Sequence, residues 1–320
     1  MQIVIPDDCY QLFEGSESLG RLRALGDVHY YTDNADSEEL LRDRLENAEI
    51  ILTTRYQTDF KTTDLLDHIP HLKMISVMGT RPRMIDMERV NERGIVVSTT
   101  PAASASSVAE HTMMLILALT KRIPLMFPAM REGGWPQDQG VELAGKTLGL
   151  IGFGHIARLV CRMALGFGMR VVTCSPSMTP ERAQAEGAEA ASVEECLASD
   201  VVSIHLHLPA GAAPFMTREK FVQMKETAFF INTARAQIVD EDALLDALRN
   251  RRIAGAGLDV FEPFEPLPKD SIYRSLDNVI ITPHSAWITD GTYARFRDVP
   301  VANIEAFLRG APANVVRENA

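Results

Sequence analysis

Charged and titratable side chains follow three buried apolar runs in the second half of the sequence. Arg235 follows "FFINTA", Asp259 follows "IAGAGL", and His284 follows "VIITP". Histidine titrates near neutral pH and can give a proton to an oxygen that gains charge during hydride transfer to a carbonyl. A neighbouring carboxylate stabilises the imidazolium, and an arginine can bind a substrate carboxylate through two hydrogen bonds. These residue types together predict acid–base catalysis where the three runs end.

Two glutamates are candidates for the carboxylate beside the histidine. Glu262 and Glu265 both lie in the loop after Asp259, and a proline directly follows each of them. Proline fixes its own φ angle and restricts the preceding residue, so the loop is expected to hold both side chains stiffly. The residue types alone leave open which glutamate partners His284.

Parallel sheets are expected to position these side chains. Short apolar runs such as "EIILT" and "LKMISV" alternate with helical segments such as "SEELLRDRLENA". This alternation predicts an α/β protein with doubly wound parallel sheets. Residues 1–100 form one such unit, a long helix follows from about Ser104 to Lys121, and a second series of strands begins at Lys146. Ligands of open α/β sheets bind outside the carboxyl ends of the strands, where the three polar segments are predicted to meet.

A glycine-rich turn opens the second series of strands. The strand "TLGLIGF" runs into Gly152-Phe-Gly154-His-Ile-Ala157 and then into an amphipathic helix. Gly152 permits the tight turn, Gly154 lets the backbone approach a pyrophosphate, and Ala157 allows close packing of helix on strand. The helix N-terminus, at His155 and Ile156, attracts the phosphates. The turn therefore predicts a bound dinucleotide.

The next strand ends without the acid that usually binds the adenosine ribose. That acid is expected about 20 residues after the turn, but this sequence has Ser175 in "VTCSPSMTP". Serine does not repel a 2′-phosphate as a carboxylate would, and the nearest downstream cation is Arg182. We therefore predict NAD as the cofactor, with NADP possible.

Composition indicates the class of partner and the compartment. Of 320 residues, 46% are hydrophobic and 23% charged, and the formal net charge is -11. The negative charge argues against nucleic acid or an anionic membrane as partner. The four cysteines are far apart and have no metal-ligand spacing, which is typical of a cytoplasmic protein with reduced thiols and no metal. The most apolar run, "MMLILAL", is too short to span a bilayer.

Segments spread nearly from end to end resemble the D-isomer-specific 2-hydroxyacid dehydrogenases, a family that includes glycerate, hydroxypyruvate and phosphoglycerate dehydrogenases. They are "ISVMGTRPRMID", "SSVAEHT", "GLIGFGHIA", "INTARAQIVDEDAL", "GLDVFEPFEP", "ITPHSAW" and "RGAPANVV". The resemblance implies hydride transfer between a nicotinamide cofactor and a small D-2-hydroxy or 2-oxo acid, of the glyoxylate, hydroxypyruvate or phosphoglycerate type. It implies a Rossmann cofactor domain, residues 101–287, inserted in a flavodoxin-like substrate domain, residues 1–100 plus 288–320. It also implies a homodimer formed largely through the cofactor domains.

The resemblance gives individual residues roles. The implied catalytic residues are Arg235, Glu265 and His284. The implied substrate loop is Met78, Gly79, Thr80 and Arg81. Asp259 is expected to hold the nicotinamide carboxamide. The other residues expected to line the cofactor are Gly152, Gly154, His155, Ile156, Ser175, His207, Pro209, Thr233, Ala234 and Ala286.

The sequence departs from the family pattern at three positions. Ser175 replaces the usual acid, and Ala236 stands where glycine is usual. The family glutamate usually comes five residues after the Asp259 position, but here Phe264 is fifth and Glu265 sixth. We interpret this as a one-residue insertion that keeps the Glu-Pro pair, with Glu262 as the alternative.

Two other functions are compatible with parts of the sequence. A nucleotide-sensing module like the corepressors of this fold would bind cofactor without turnover, but the joint presence of arginine, glutamate and histidine favours an enzyme. A formate dehydrogenase is disfavoured because that branch has glutamine where Glu265 stands. The sequence leaves the particular 2-hydroxy acid open. Arg81 and Arg83 either bind a phosphate or second carboxylate or face solvent.

Overall fold

The computed structural model describes residues 1–54, 58–207, 209, 211–262 and 265–316. They divide into two units: Met1–Ala103 with Thr289–Ala320, and Ser104–Ile288. The second unit is continuous in sequence, whereas the first is made of two separate segments. The assignment of the first unit to the substrate and of the second to the cofactor stays a prediction.

All strands pair in parallel within a five-stranded and a seven-stranded sheet. The strands are β1 (Gln2–Ile5), β2 (Asp27–Tyr30), β3 (Ile50–Thr53), β4 (Met74–Val77), β5 (Val96–Ser98), β6 (Thr147–Ile151), β7 (Arg170–Cys174), β8 (Glu189–Ala190), β9 (Val201–Ile204), β10 (Phe229–Asn232), β11 (Gly255–Leu258) and β12 (Val279–Ile281).

Helices connect these strands. They are α1 (Glu17–Leu25), α2 (Glu38–Leu45), α3 (Met87–Glu92), α4 (Ala105–Thr120), α5 (Ile123–Arg131), α6 (His155–Gly166), α7 (Pro180–Gln184), α8 (Val193–Leu197), α9 (Arg218–Gln223), α10 (Glu241–Arg249) and α11 (Asp290–Leu308). Short 3-10 helices span Leu65–His68, Ala236–Ile238 and Ile272–Ser275.

The sheet of the first unit has the order β2-β1-β3-β4-β5, the order of flavodoxin-like folds. Successive side chains point to opposite faces, and both faces are buried. Ile3 and Leu52 belong to a core that α1 and α11 complete. Val4 and Ile75 belong to a second core, to which α2 and α3 contribute. Helix α11, which comes from the distant second segment, is therefore an integral layer of this unit.

The sheet of the second unit has the order β12-β11-β10-β9-β6-β7-β8. This is the Rossmann order with one further strand, and its topological switch point lies between β6 and β9. Helices α4 and α6 contribute to the core on one face, and α8, α9 and α10 to the core on the other. The prediction of an α/β fold with two doubly wound parallel sheets is confirmed.

Helix α4 ends where Arg122 adopts a left-handed backbone, with φ 55°, and α5 begins there. Helix α5 has no buried residue, whereas most of α4 is buried. No single helix among the described residues has the length and apolar composition needed to cross a membrane. The α4–α5 pair meets that criterion only jointly, across a 69° bend.

Candidate active site

Three neighbouring strands deliver the predicted catalytic side chains to one edge of the second sheet. Strands β10, β11 and β12 pair in parallel, so their carboxyl ends lie side by side. Arg235, Asp259 and His284 follow these ends within a few positions. The polar segments therefore meet at the edge where open α/β sheets bind their ligands.

Glu265 contacts His284. Glu265 Oε2 lies 2.7 Å from His284 Nδ1, and Glu265 Oε1 accepts a 3.0 Å hydrogen bond from the N–H of Phe261. Both carboxylate oxygens are thus engaged, one with the imidazole and one with the backbone of the same loop. The contact uses Nδ1 of the imidazole and not Nε2.

Glu262 lies elsewhere in the same loop. It lines a cavity beside Glu241 and Tyr273, and neither Glu265 nor His284 lines that cavity. Phe264, interpreted from the sequence as the inserted residue, lies outside the described residues. The structure therefore places one of the two candidate glutamates at the histidine and the other in a different environment.

The Glu265 carboxyl group has a lowered pKa. Burial acts to raise its pKa, but hydrogen bonds from His284 and Phe261 and the positive charges of His284 and Arg235 outweigh burial. The carboxylate is therefore ionised at neutral pH. Arg235 and His284 are thus both close enough for their positive charges to act on the Glu265 carboxylate.

The backbone of His284 is left-handed, with φ 52°. This conformation costs a non-glycine residue on the order of 1 kcal/mol or more, so the surroundings must hold it. Asp259, which is 1% exposed, supplies that support. Its Oδ1 accepts hydrogen bonds from the Thr282 hydroxyl at 2.5 Å and the Ser285 N–H at 3.0 Å, and its Oδ2 accepts one from the Ala286 N–H at 3.0 Å.

A buried carboxylate thus holds the chain on both sides of His284, the histidine predicted to be catalytic. This supporting role of Asp259 was not evident from the sequence. The expected contacts of Asp259 and Ala286 with the nicotinamide stay predictions.

An amide braces the segment that carries Arg235. Asn232 is buried; its Nδ2 donates to the Arg235 carbonyl at 2.9 Å and its Oδ1 accepts from the Ala234 N–H at 3.0 Å. The hydroxyl groups of Thr233 and Thr112 are 2.9 Å apart, which ties the segment to α4. Arg235 Nη1 donates to the Ala234 carbonyl at 2.6 Å. The backbone that presents the arginine is therefore held from two sides.

Sequence reasoning missed His111, which lies on α4. Its Nε2 is 2.9 Å from Thr282 Oγ1 and 3.5 Å from Asp259 Oδ1. In the sequence, His111 belongs to "SSVAEHT", which was identified only as one of the segments that resemble the family. A histidine in the middle of a helix that is otherwise largely apolar was the signal that could have drawn attention to it.

The glycine-rich turn has the conformation that its residues require. Gly152 has φ 93°, and a Cβ placed on it would lie 2.5 Å from the carbonyl oxygen of His205. Gly154 is the N-cap of α6, and a Cβ there would meet no atom within 4 Å. This open space in front of the helix N-terminus, at His155 and Ile156, fits the close approach of a pyrophosphate. The turn therefore fits a dinucleotide.

The residues expected near the adenosine lie on two loops. Ser175 follows β7 directly, and the Arg182 guanidinium donates hydrogen bonds to the carbonyl and hydroxyl of Ser177, the latter at 2.8 Å. A cation is thus tied to the same loop as Ser175. His207 and Pro209 follow β9 and are exposed, and residue 208 between them lies outside the described residues.

The predicted substrate loop follows β4 in the first unit. The N–H groups of Met78 and Gly79 donate to carbonyl oxygens within that unit, at 3.0 and 2.9 Å. Thr80 and Arg81 are exposed. The N–H groups of Met78 and Gly79 are therefore engaged within the unit, and the exposed residues of the loop are Thr80 and Arg81.

The chain is similar to proteins of known family. Residues 113–286 match the family model described as D-isomer specific 2-hydroxyacid dehydrogenase, NAD binding domain. The hydroxypyruvate reductase of Thermotoga maritima is 37% identical over 264 residues, which cover 78% of this chain and 85% of that enzyme. The D-3-phosphoglycerate dehydrogenase of Methanocaldococcus jannaschii is 35% identical over 321 residues, or 99% of this chain. The chain spans only 59% of the length of that dehydrogenase.

A solved structure resembles the whole chain. The acyclic imino acid reductase Bsp5, in complex with NADPH and D-Arg, superposes with a TM-score of 0.81 and is 28% identical. The similarity covers 99% of this chain and 100% of that one. With the family model and the relatives above, it leads to one conclusion: the chain belongs to the D-isomer specific 2-hydroxyacid dehydrogenase family.

Proposed function

We propose that this protein is an NAD(P)-dependent reductase of small 2-oxo acids, which it converts reversibly to D-2-hydroxy acids. The observation that carries the proposal is the 2.7 Å contact between Glu265 and His284, at the sheet edge that also carries Arg235. The substrate classes named by the relatives are hydroxypyruvate and phosphoglycerate, and we propose substrates of this type.

His284 is the proton donor in reduction. Nicotinamide, when bound, supplies the hydride that converts the carbonyl carbon to an alcohol carbon. The imidazolium of His284 gives its Nε2 proton to the carbonyl oxygen, and in the reverse direction the neutral imidazole takes that proton back. Glu265, ionised and bonded to Nδ1, orients the ring and stabilises its charged form.

Arg235 binds the substrate. Its planar guanidinium can hold a carboxylate through two hydrogen bonds and stabilise negative charge that forms on the adjacent carbonyl oxygen. The buried amide of Asn232 holds the backbone at Arg235, so the guanidinium starts from a defined position. We further propose that the loop Met78–Arg81 binds the substrate carboxylate, as the family resemblance implies.

Helix α5 supports the proposal of a homodimer. Its large apolar side chains are exposed: Ile123 by 46%, Phe127 by 59% and Met130 by 46%. Trp135, shortly after the helix, is 77% exposed. Adjacent exposed apolar side chains of this size are typical of a protein interface, so we place the contact between two cofactor units here. The cytoplasmic location also stays a proposal, supported by free cysteines at all four positions.

A substrate panel tests the proposed function. Oxidation of NADH and NADPH is followed with glyoxylate, hydroxypyruvate, pyruvate and a phosphorylated oxo acid. We expect turnover of at least one oxo acid, and a D-configured product by chiral chromatography. Tight cofactor binding without turnover of any oxo acid would instead support the nucleotide-sensing module.

A further inference from the structure

Helix α4 carries a half-buried histidine that lies against the polar segments of the candidate active site. The His111 side chain is 15% exposed, and its Nε2 faces both Thr282 Oγ1, at 2.9 Å, and Asp259 Oδ1, at 3.5 Å. Neither the proton transfer nor the substrate binding described above uses this imidazole. Its partners are the groups that hold the turn of the catalytic histidine.

The hydrogen-bond chemistry around Thr282 settles which nitrogen of His111 carries a proton. The Thr282 hydroxyl has one proton, and its two acceptors are Asp259 Oδ1 at 2.5 Å and the Leu258 carbonyl at 3.4 Å. Both acceptors lack a proton to give, so the hydroxyl proton points to one of them. Thr282 Oγ1 must then accept from His111, which requires an Nε2–H. The nearby Asp259 oxygen would also repel a bare Nε2.

The His111 imidazole is neutral in this environment. Burial lowers the pKa of His111, although the Asp259 carboxylate acts to raise it. A neutral ring with a proton on Nε2 donates one hydrogen bond to Thr282. The partial positive charge of the same N–H group also faces Asp259. The His111 ring therefore adds no second full positive charge to the site beside that of a protonated His284.

The network that begins at His111 ends at the strained residue. Thr282 donates to Asp259 and accepts, through its backbone carbonyl, the N–H of His284 at 2.9 Å. On the C-terminal side of His284, the Asp259 carboxylate accepts hydrogen bonds from the N–H groups of Ser285 and Ala286. The left-handed backbone of His284 is thus held between Thr282 and Asp259, which the Thr282 hydroxyl joins.

We propose that His111 is a positioning residue: as the neutral Nε2–H tautomer it orients the Thr282 hydroxyl toward Asp259 and so keeps the His284 turn in the geometry that reaches Glu265. The inference rests on the proposed function, because positioning matters only if His284 transfers a proton. It assigns His111 no contact with substrate or cofactor.

The tautomer can be observed directly in the wild-type protein. Nitrogen-15 NMR of histidine side chains separates protonated from bare ring nitrogens, and the His111 signals are those missing from the spectrum of His111→Gln. We expect a protonated Nε2 and a bare Nδ1 at neutral pH. A proton on Nδ1 alone, or on both nitrogens, would overturn the proposal.

Two substitutions separate positioning from packing. His111→Phe keeps an aromatic ring but removes the donor, whereas glutamine can place an amide N–H near the Nε2 position. We expect His111→Phe to lower kcat by about 10- to 100-fold, as misplacement of a catalytic group does, with a much smaller change in KM. His111→Gln should recover most of that loss. If His111→Phe keeps wild-type kcat, or glutamine recovers nothing in a folded protein, His111 does not position the site.

A control and a coupling measurement complete the test. Thr120→Val, also buried on α4 but bonded to its own helix, should leave kcat unchanged. His111→Phe and Thr282→Val should be non-additive in kcat, because each removes the same connection; full additivity would contradict the proposal. Failure of the proposed function is distinguishable, since wild-type protein would then reduce no oxo acid, while the tautomer measurement would still show whether His111 donates to Thr282.

Discussion

The Glu265 carboxylate connects the His284 imidazole to the backbone of its own loop. One oxygen lies 2.7 Å from His284 Nδ1, and the other accepts the Phe261 N–H at 3.0 Å. The second bond restrains the carboxylate, so its charge is presented to the imidazole from a defined direction. The histidine is thereby supported on its ring by Glu265 and on its backbone by Asp259.

Replacing Glu265 with glutamine should lower kcat/KM for reduction. Glutamine keeps roughly the shape of the side chain but removes the negative charge that stabilises the imidazolium of His284. Because the pKa of Glu265 is lowered, the wild-type carboxylate stays ionised as pH falls, and its support is lost only when pH drops through that lowered pKa. Profiles of kcat/KM against pH for the wild type and Glu265→Gln measure this difference. Glu262→Gln is the matched control and should leave the profile unchanged; the opposite pattern would identify Glu262 as the partner.

Arg235→Lys should impair substrate handling rather than folding. Lysine keeps the positive charge but lacks the planar pair of donors. We expect kcat/KM for every accepted oxo acid to fall by at least about a hundredfold, with near-normal NADH affinity by fluorescence titration. Arg249→Lys, at the exposed end of α10, is the control. Almost full activity of the Arg235→Lys variant would show that Arg235 does not bind the carboxylate.

Cofactor preference should be modest. Ser175 does not repel a 2′-phosphate, and Arg182 is tied to the same loop through Ser177. We expect kcat/KM for NADH to exceed that for NADPH by less than about a thousandfold, or about 4 kcal/mol. Ser175→Asp should increase the preference for NADH, and Arg182→Ala should lower activity with NADPH more than with NADH. An effect of Arg182→Ala that is equal for both cofactors would exclude a role at the 2′-position.

The two glycines of the turn should respond differently to alanine. Gly152→Ala places a methyl group 2.5 Å from the His205 carbonyl at φ 93°, so it should destabilise the protein by more than about 1 kcal/mol. Gly154→Ala meets open space and should keep the wild-type Tm while weakening cofactor binding. Thermal unfolding and cofactor titration of both variants check this. Normal cofactor affinity of Gly154→Ala would mean that the pyrophosphate does not approach this glycine closely.

The exposed face of α5 should control assembly. Phe127→Glu places a charge among exposed apolar side chains and should shift the proposed dimer toward monomer in sedimentation velocity measurements. Val222→Glu, on α9 and 56% exposed, is the control and should leave the mass unchanged. A wild-type protein that sediments as a monomer would contradict the proposed dimer.

Residues that follow strands were predictable because the carboxyl ends of parallel strands must meet. Arg235, Asp259 and His284 were found in this way, and Glu265 through its Glu-Pro pair. The contacts that hold these residues in place were less predictable from the sequence. His111 and Thr282 are far apart in sequence, and only the packing of α4 against the second sheet brings them together. The turn at His284 was also hidden, since a left-handed histidine has no local signature like that of glycine.

The order in which the segments emerge during synthesis has a consequence for folding. Helix α11 completes the core around Ile3 and Leu52, yet it is made only after all of Ser104–Ile288. On the ribosome, the continuous unit can therefore form its core while one face of the earlier sheet still lacks a covering layer. Exposed apolar strands of this kind are the surfaces that misassociate and that chaperones bind. Slow synthesis or truncation before α11 should then cause aggregation through the N-terminal sheet, even where the second unit is already native.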